Sequence, residues 1–112
     1  MKRWQRLKDK RRFQDIFNRG QTWSGKLVIL KSLPNGLEHN RFGFAVGKRL
    51  GKAVLRNRIK RRLRECVLQI PLRNGWDLNF VARQSVATVK YDTLKCYVRE
   101  LVSKARLLGD EE

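Results

Sequence analysis

The chain has 112 residues, which suits one domain spanning 1–112, and its 41% hydrophobic content is enough for a folded core, so wholesale disorder is excluded. Lysine and arginine number 27 against 10 acidic residues, and the net charge of +17 indicates a polyanionic partner, with nucleic acid first and an anionic membrane surface second. The sequence has neither a secretory signal nor an apolar run near the roughly 20 residues of a membrane span, so we expect a cytoplasmic protein.

The first predicted elements are a basic arm and a short helix. Residues 1–8 show no clear period and are interpreted as an irregular arm. Asp9 can cap a helix that runs through about Arg19, and Gly20 can end it. The apolar residues with the i, i+3, i+4 spacing of one helical face are Phe13, Ile16 and Phe17.

Strand patterns follow the first helix. Residues 21–24 suit a short edge strand, and the apolar-rich runs 26–33 and 41–46 suit longer strands. The Pro34-Asn35-Gly36 turn signal lies between the two longer runs. We therefore predict that these two strands pair as an antiparallel hairpin.

The second half of the chain predicts two longer helices that flank a strand. Helical periods cover about 52–69 and 92–108, a strand pattern covers 77–82, and an acidic tail follows at 109–112. The order α-β-β-β-α-β-α predicts a small α+β fold, an α/β sandwich in which three helices cover a sheet of about four strands.

The two cysteines, Cys66 and Cys96, fall on the apolar sides of the two longer helical patterns. We interpret them as reduced, buried thiols, because free cysteine behaves as a small apolar residue and cytosolic thiols stay reduced. A disulfide between them is the alternative, and nothing in the sequence favours it.

The segment 48–64 carries the strongest functional signal. Nine of its 17 positions are basic and none is acidic. Like charges four residues apart on a helix cost roughly 0.2–0.5 kcal/mol per pair, a penalty that a bound polyanion removes, and arginine favours bidentate phosphate contacts. The aliphatic row expected to face the core comprises Leu55, Ile59 and Leu63, and the cationic row beside it comprises Arg56, Lys60 and Arg64.

Two features beside these cations have alternative interpretations. Asn57 either holds a base edge or backbone group in place or is a plain polar surface residue. The glycine-bounded loop 47–52 enters the helix, and its backbone amides can hold a phosphate. It lacks the full GxxxxGK[ST] pattern, so a nucleotide-hydrolysing P-loop is not predicted.

The stretch 53–64, AVLRNRIKRRLR, resembles the RNR signature of the bacterial ribonuclease P protein. The alanine, the Arg-Asn pair, the aliphatic residue, the basic pair and the last basic residue of that signature are all present. The flanks also agree: the Phe13 and Phe17 helix that ends at Gly20, the strand-like 41–46 before Lys48 and Arg49, and 77–82 followed by Arg83. The similarity covers roughly residues 6–108.

This resemblance implies a ribosomal protein S5 domain 2-like fold with a left-handed strand-helix-strand crossover at about 41–82, against the usual right-handed rule. It also implies a subunit of ribonuclease P, an endoribonuclease whose catalytic centre is in its RNA. In that family the RNA cuts the 5′ leader from precursor tRNA using Mg²⁺, and the protein helps to hold the leader and increases the affinity for metal and substrate. The implied partners are the catalytic RNA and precursor tRNA, with no protein partner and no membrane.

The family uses two RNA-binding surfaces. The residues that match its surface for the catalytic RNA are Lys48, Arg49, Lys52, Arg56, Asn57, Arg58, Lys60, Arg61 and Arg64. Phe13 and Phe17 match the leader-binding cleft, where aromatic rings stack on unpaired bases, and plain core packing is the alternative for both. The family often has a tyrosine on the first long strand where this chain has Leu30-Lys31, so either leader stacking is weaker or Lys31 supplies a phosphate contact.

No catalytic residue is predicted in the protein itself. The acidic residues before the tail are scattered singly, and His39 has no second histidine for acid–base chemistry. Asp77 is a candidate for an outer-sphere metal contact at the RNA interface. We therefore expect Mg²⁺ to be bound mainly by the RNA subunit.

Three rival classes have weaker support. A ribosomal or general structured-RNA-binding protein is the main alternative, and the complete RNR pattern argues against it. A DNA-binding protein is less consistent because no helix-turn-helix pair is evident. A membrane-surface protein would need a wider apolar helix face than this one.

Overall fold

The computed structural model describes Lys2 and residues 5–109. In this part of the chain the helices and strands follow the predicted order, and the α+β fold class is confirmed. They are α1 (Lys10–Arg19), β1 (Gln21–Ser24), β2 (Val28–Pro34), β3 (Arg41–Ala45), α2 (Ala53–Leu68), β4 (Trp76–Ala82) and α3 (Tyr91–Lys104). Residues 1, 3 and 4 of the predicted arm and 110–112 of the predicted tail lie outside the described residues.

The four strands form one sheet in the order β1-β2-β4-β3. β4 is antiparallel to β2 and parallel to β3, so β3, α2 and β4 form the expected strand-helix-strand unit. The predicted hairpin between β2 and β3 is wrong, because β4 lies between these strands. Leu78 and Phe80 of β4 are completely buried, and a central position gives these side chains neighbours on both sides.

The loop 35–40 connects β2 to β3 across the start of β4. Hydrogen bonds between this loop and residues 73–76 hold it there. The amide of Asn40, which is buried, accepts from the backbone of Trp76 at 2.8 Å and donates to the carbonyl of Arg73 at 2.8 Å. The backbone N–H of Asn35 donates to the carbonyl of Gly75 at 2.9 Å. The Pro-Asn-Gly signal therefore ends β2 correctly but does not join β2 to β3 as a pair.

The two faces of the sheet carry different helices. Side chains alternate between faces along a strand, and Leu30, Phe42 and Leu78 join the main core with α2 and α3. Their neighbours on the other face meet α1: Lys31 lies against Phe17, and Asp77 binds Arg12. The sheet is thus covered by a helical layer on one face and by the single short helix α1 on the other.

The predicted helix limits are confirmed in two cases of three. Asp9 accepts a hydrogen bond from the N–H of Arg11 at 2.9 Å, and α1 ends before Gly20 as predicted. α2 begins and ends within one residue of the predicted limits. α3 ends at Lys104 rather than near 108, because Arg106 adopts the left-handed conformation with φ of 58° and turns the chain toward residues 71–73, where Leu108 forms a bridge with Leu72.

The cysteines differ in burial and both are free thiols. Cys66 is fully buried, and this burial raises the pKa of its thiol, only partly offset by a hydrogen bond with Tyr91. Cys96 is exposed, so the prediction that both thiols are buried is wrong for this residue. It lies about 200° around α3 from the buried Leu94 and Val98, on the opposite side of the helix.

None of the helices within the described residues combines the length and apolar character needed to cross a membrane.

Candidate nucleic-acid interface

α2 places aliphatic side chains on the core and cations in solvent. Ile59 and Leu63 are 4% and 0% exposed and anchor the helix to the sheet. Asn57, Arg58 and Arg61 are exposed on the outer side. The amphipathic division expected from the sequence is therefore present, and the like charges of the outer side face water, where an incoming polyanion can reach them.

The row Arg56, Lys60, Arg64 lies between the core and the outer face, because all three residues are half-buried. Lys60 and Arg64 line a cleft of about 220 Å³ that opens at the β3 edge of the sheet. The cleft is lined by Arg6, Leu7, Phe13, Phe42, Gly43, Phe44, Lys60 and Arg64. α2 thus presents cations in two directions, outward and into a cleft that also holds an aromatic side chain of α1.

Arg6 is a cleft residue that sequence reasoning missed. Residues 1–8 were predicted to be an irregular arm, but Arg6 forms a parallel bridge with Phe42, and the N–H of Leu7 donates to the carbonyl of Phe42 at 2.8 Å. Leu7 is buried, which anchors this segment beside β3. The one sequence feature that could have indicated this anchoring is Leu7, an apolar residue among the basic residues of the segment.

The loop before α2 exposes three cations. Lys48, Arg49 and Lys52 are exposed around a short 3-10 helix whose Leu50 is buried. Gly51 has a φ of 126°, and a Cβ atom there would lie 2.8 Å from the side chain of Leu55, so glycine is required. Arg56 donates to the carbonyl of Gly51 at 3.2 Å, which ties the first turn of α2 to the loop. These cations therefore continue the outer face of α2.

Phe13 and Phe17 occupy different environments on α1. Phe17 is 69% exposed, and the Nζ atom of Lys31 lies 4.5 Å from its ring centroid, so plain core packing does not describe it. Phe13 is half-buried, and a Cβ atom on Gly43 would lie 2.8 Å from its ring, which shows how closely the ring lies on β3. The structure therefore brings together Phe17 and Lys31, which the sequence analysis had assigned to the same leader-binding surface. Phe13 lies four residues earlier on the same helix.

A buried carboxylate connects α1 to the sheet beneath this surface. The side chain of Asp77 is completely buried, and its Oδ1 accepts from Arg41 at 2.8 Å and from Asn35 at 2.9 Å. Its Oδ2 accepts from Arg41 at 2.7 Å and from Nε of Arg12. Burial raises the pKa of Asp77, but the hydrogen bonds from Arg41, Asn35 and Arg12 outweigh it, so the pKa lies below its usual value.

These contacts do not fit a metal-binding role for Asp77. Both of its oxygens are occupied by cationic or amide donors, and the side chain has no exposed surface. Among the residues that the structure describes, no three histidine, cysteine, aspartate or glutamate side chains are grouped to hold a metal ion.

Comparison with known proteins decides the family. The family model for ribonuclease P matches residues 1–106. The chain is 44% identical over 109 residues to the ribonuclease P protein component of Dehalococcoides mccartyi, a match that covers 97% of this chain and 91% of that protein. The chain belongs to the ribonuclease P protein family.

Solved structures of ribonuclease P proteins share the fold described above. The protein from Staphylococcus aureus is 28% identical and superposes with a TM-score of 0.85, covering 94% of this chain and 98% of that one. The protein from Thermotoga maritima is also 28% identical, with a TM-score of 0.80 over 93% of this chain and 98% of that one. Membership confirms the family expected from the RNR signature, whose members are protein components of the ribonuclease P enzyme.

Proposed function

We propose that this ribonuclease P family member is the RNA-binding subunit that assists the catalytic RNA in removing the 5′ leader from precursor tRNA in the cytoplasm. The observation that carries the proposal is the division of the α2 cations between an outer face and the cleft beside Phe13. Two adjacent surfaces on one helix let one small protein contact the catalytic RNA and the substrate together.

The outer surface is proposed to bind the catalytic RNA. It comprises the exposed Lys48, Arg49, Lys52, Asn57, Arg58 and Arg61, with Arg56 at its inner edge. Because Ile59 and Leu63 hold α2 on the core, the guanidinium and ammonium groups are presented by a rigid element rather than by a loose tail. Phosphate contacts of this kind fix register and orientation on RNA without reading its sequence.

The cleft surface is proposed to hold the single-stranded leader. The exposed Phe17 ring offers a stacking surface, and Lys31 beside it supplies a positive charge where the family often has a tyrosine. Lys60 and Arg64 supply further cations in the cleft of about 220 Å³ that Phe13 lines, and Phe13 is one turn of α1 away from Phe17. Stacking on a ring is worth about 1–3 kcal/mol per base and tolerates any base, which suits a protein that must accept many leaders.

In this proposal the protein performs no bond cleavage. Mg²⁺, which this proposal assigns mainly to the RNA, would supply the charge stabilisation and activated water of phosphodiester hydrolysis. The side chains of this chain bind and orient: the α2 cations offset phosphate repulsion between two RNAs, and the cleft holds the leader beside them. Protein cations that replace diffuse counterions reduce the Mg²⁺ needed to bring the RNAs together.

The test is cleavage of precursor tRNA by a bacterial ribonuclease P RNA across a Mg²⁺ titration, with and without this protein. We expect the protein to shift the Mg²⁺ midpoint to lower concentration. The Lys60→Glu, Arg64→Glu, Arg56→Glu triple variant should abolish the shift because it reverses the charge next to both RNAs. A charge-matched control, Lys90→Glu with Lys104→Glu and Arg106→Glu, reverses three exposed charges in and beside α3 and should retain the shift.

Circular dichroism distinguishes loss of binding from loss of folding in these variants. The proposal is contradicted if the folded wild-type protein gives no activity at low Mg²⁺, or if the α3 control loses as much activity as the triple variant. A general structured-RNA-binding role would instead give equal affinity for ribonuclease P RNA and for unrelated folded RNA in the same buffer.

A further inference from the structure

The attachment of α1 to the sheet depends little on apolar packing. Ile16 is the one residue of α1 that is buried, whereas α2 and α3 each bury four. Phe17 is mostly in solvent and Phe13 is half-buried. A ten-residue helix held by so little apolar surface needs another contact to fix its rotation and its position along the sheet.

Arg12 supplies that contact at two points. Its Nε donates to Oδ2 of Asp77, and its Nη2 donates to the carbonyl of Pro34 at 2.8 Å. The arginine side chain is 19% exposed and the Asp77 side chain is completely buried, so the bond between these two side chains is partly shielded from water. A planar guanidinium that is bound at two of its nitrogens fixes direction as well as distance, which a lysine ammonium cannot do.

Arg12 is not needed to neutralise Asp77. Arg41 already binds both oxygens of that carboxylate at 2.8 and 2.7 Å, and Asn35 donates a further hydrogen bond. One negative charge thus faces two arginines, and the second one comes from α1. The contact of Arg12 with Asp77 therefore fixes geometry rather than charge, because Arg12 is adjacent to Phe13, four residues before Ile16 and five before Phe17.

We propose that Arg12 and Asp77 are positioning residues that set the orientation of α1, so that Phe17 lies over Lys31 and Phe13 lies on Gly43, and that this orientation determines the affinity for the precursor tRNA leader. The inference rests on the proposed leader-binding role of the cleft. It concerns residues that lie beneath the RNA-binding surface and need not touch RNA.

The first test measures the free protein by NMR. The Phe17 ring should shift the ε-methylene protons of Lys31 upfield, because the ammonium lies 4.5 Å from the ring centroid. Arg12→Gln and Arg12→Lys should both reduce this ring-current shift. The matched control Arg11→Gln removes the same charge from an exposed neighbouring position on α1 and should leave the shift unchanged. An unchanged shift in Arg12→Gln overturns the positioning role.

The second test measures substrate affinity in the holoenzyme reconstituted with a bacterial ribonuclease P RNA. Two precursor tRNAs are compared, one with a single-stranded leader of about eight nucleotides and one with a single-nucleotide leader. Arg12→Gln should weaken binding of the long-leader substrate about tenfold relative to Arg11→Gln, with kcat at saturating substrate unchanged. With the short leader, the Arg11 and Arg12 variants should bind equally.

The outcomes separate this inference from the proposed function. Equal affinities of Arg11→Gln and Arg12→Gln for the long leader, or full rescue by Arg12→Lys, would indicate a charge effect and overturn the positioning role alone. Equal weakening at both leader lengths would indicate a general folding defect and also overturn it. Wild-type protein that fails to favour the long leader would overturn the proposed leader binding, and this inference with it.

Discussion

Asp77 is a fully buried acid in a protein with a net charge of +17. Burial alone would favour its neutral form, but donors from α1, from β3 and from the loop after β2 stabilise the carboxylate instead. Removing the carboxylate would leave Arg12 and Arg41 side by side without a compensating charge. The cost of breaking one partner of a buried ion pair is about 3–5 kcal/mol.

This arrangement predicts a specific pH dependence of stability. Because the pKa of Asp77 is lower in the folded protein, its contribution is complete above about pH 4 and is lost as the pH falls through the folded-state value. Asp77→Asn should reduce the free energy of unfolding by about 3–5 kcal/mol at pH 7, measured by urea denaturation. The difference from wild type should narrow below pH 4, and a constant difference down to pH 2 would contradict the assignment.

The partners of Asp77 also show where prediction from the sequence stops. Arg12, Arg41 and Asn35 are 65, 36 and 42 positions away from it in the chain. A period or a motif reports neighbours within a few residues, so the sequence showed an isolated acid and suggested a metal contact. The family resemblance assigned Phe17 to the leader-binding cleft; its 69% exposure excludes plain core packing, and leader contact stays a prediction.

Among the elements, α2 was predicted most completely. Its apolar period identifies Ile59 and Leu63 as core residues, and its outward cations follow from the same period. The period did not show that Lys60 and Arg64 turn into the cleft, because that depends on where α1 and β3 lie. The local sequence pattern thus predicts which side of a helix is buried, but it does not predict which other elements the remaining side chains of that helix contact.

The anchoring of α2 can be tested with two substitutions in the same helix. Leu63 is completely buried, so Leu63→Ala should reduce the free energy of unfolding by about 2–5 kcal/mol through lost burial and a residual cavity. Val54→Ala is the matched control, because Val54 is 83% exposed and its truncation should cost less than about 0.5 kcal/mol. Urea denaturation gives both values, and similar losses at the two positions would refute the packing described for α2.

The sheet pairing could not be predicted for a related reason. The turn signal after β2 is local, whereas the choice between β3 and β4 as its neighbour depends on contacts about 50 residues apart, such as Leu30 with Phe80. The hydrophobic pattern predicted the strands correctly, but the predicted pairing of β2 with β3 was wrong. Strand existence was therefore a local property of this sequence, and strand order was a global one.

At the scale of the whole molecule, the excess of cations sets the response to salt. If six to ten phosphates are contacted, the affinity for ribonuclease P RNA should fall by about 10³–10⁵ between 50 and 200 mM monovalent salt. Fluorescence anisotropy with labelled RNA measures this slope directly. A fall of less than tenfold would show that most of the exposed cations lie away from the RNA.

The central place of β4 has a consequence for how the chain is made. β4 spans Trp76–Ala82, so a ribosome must pass residue 82 before the strand that joins β2 to β3 exists. Until then the nascent chain can close only the β1–β2 hairpin, and the apolar side chains of β3 have no strand partner. Assembly of the sheet therefore waits until β4 has been synthesised, and a ribosome that stalls before Trp76 leaves an aggregation-prone intermediate.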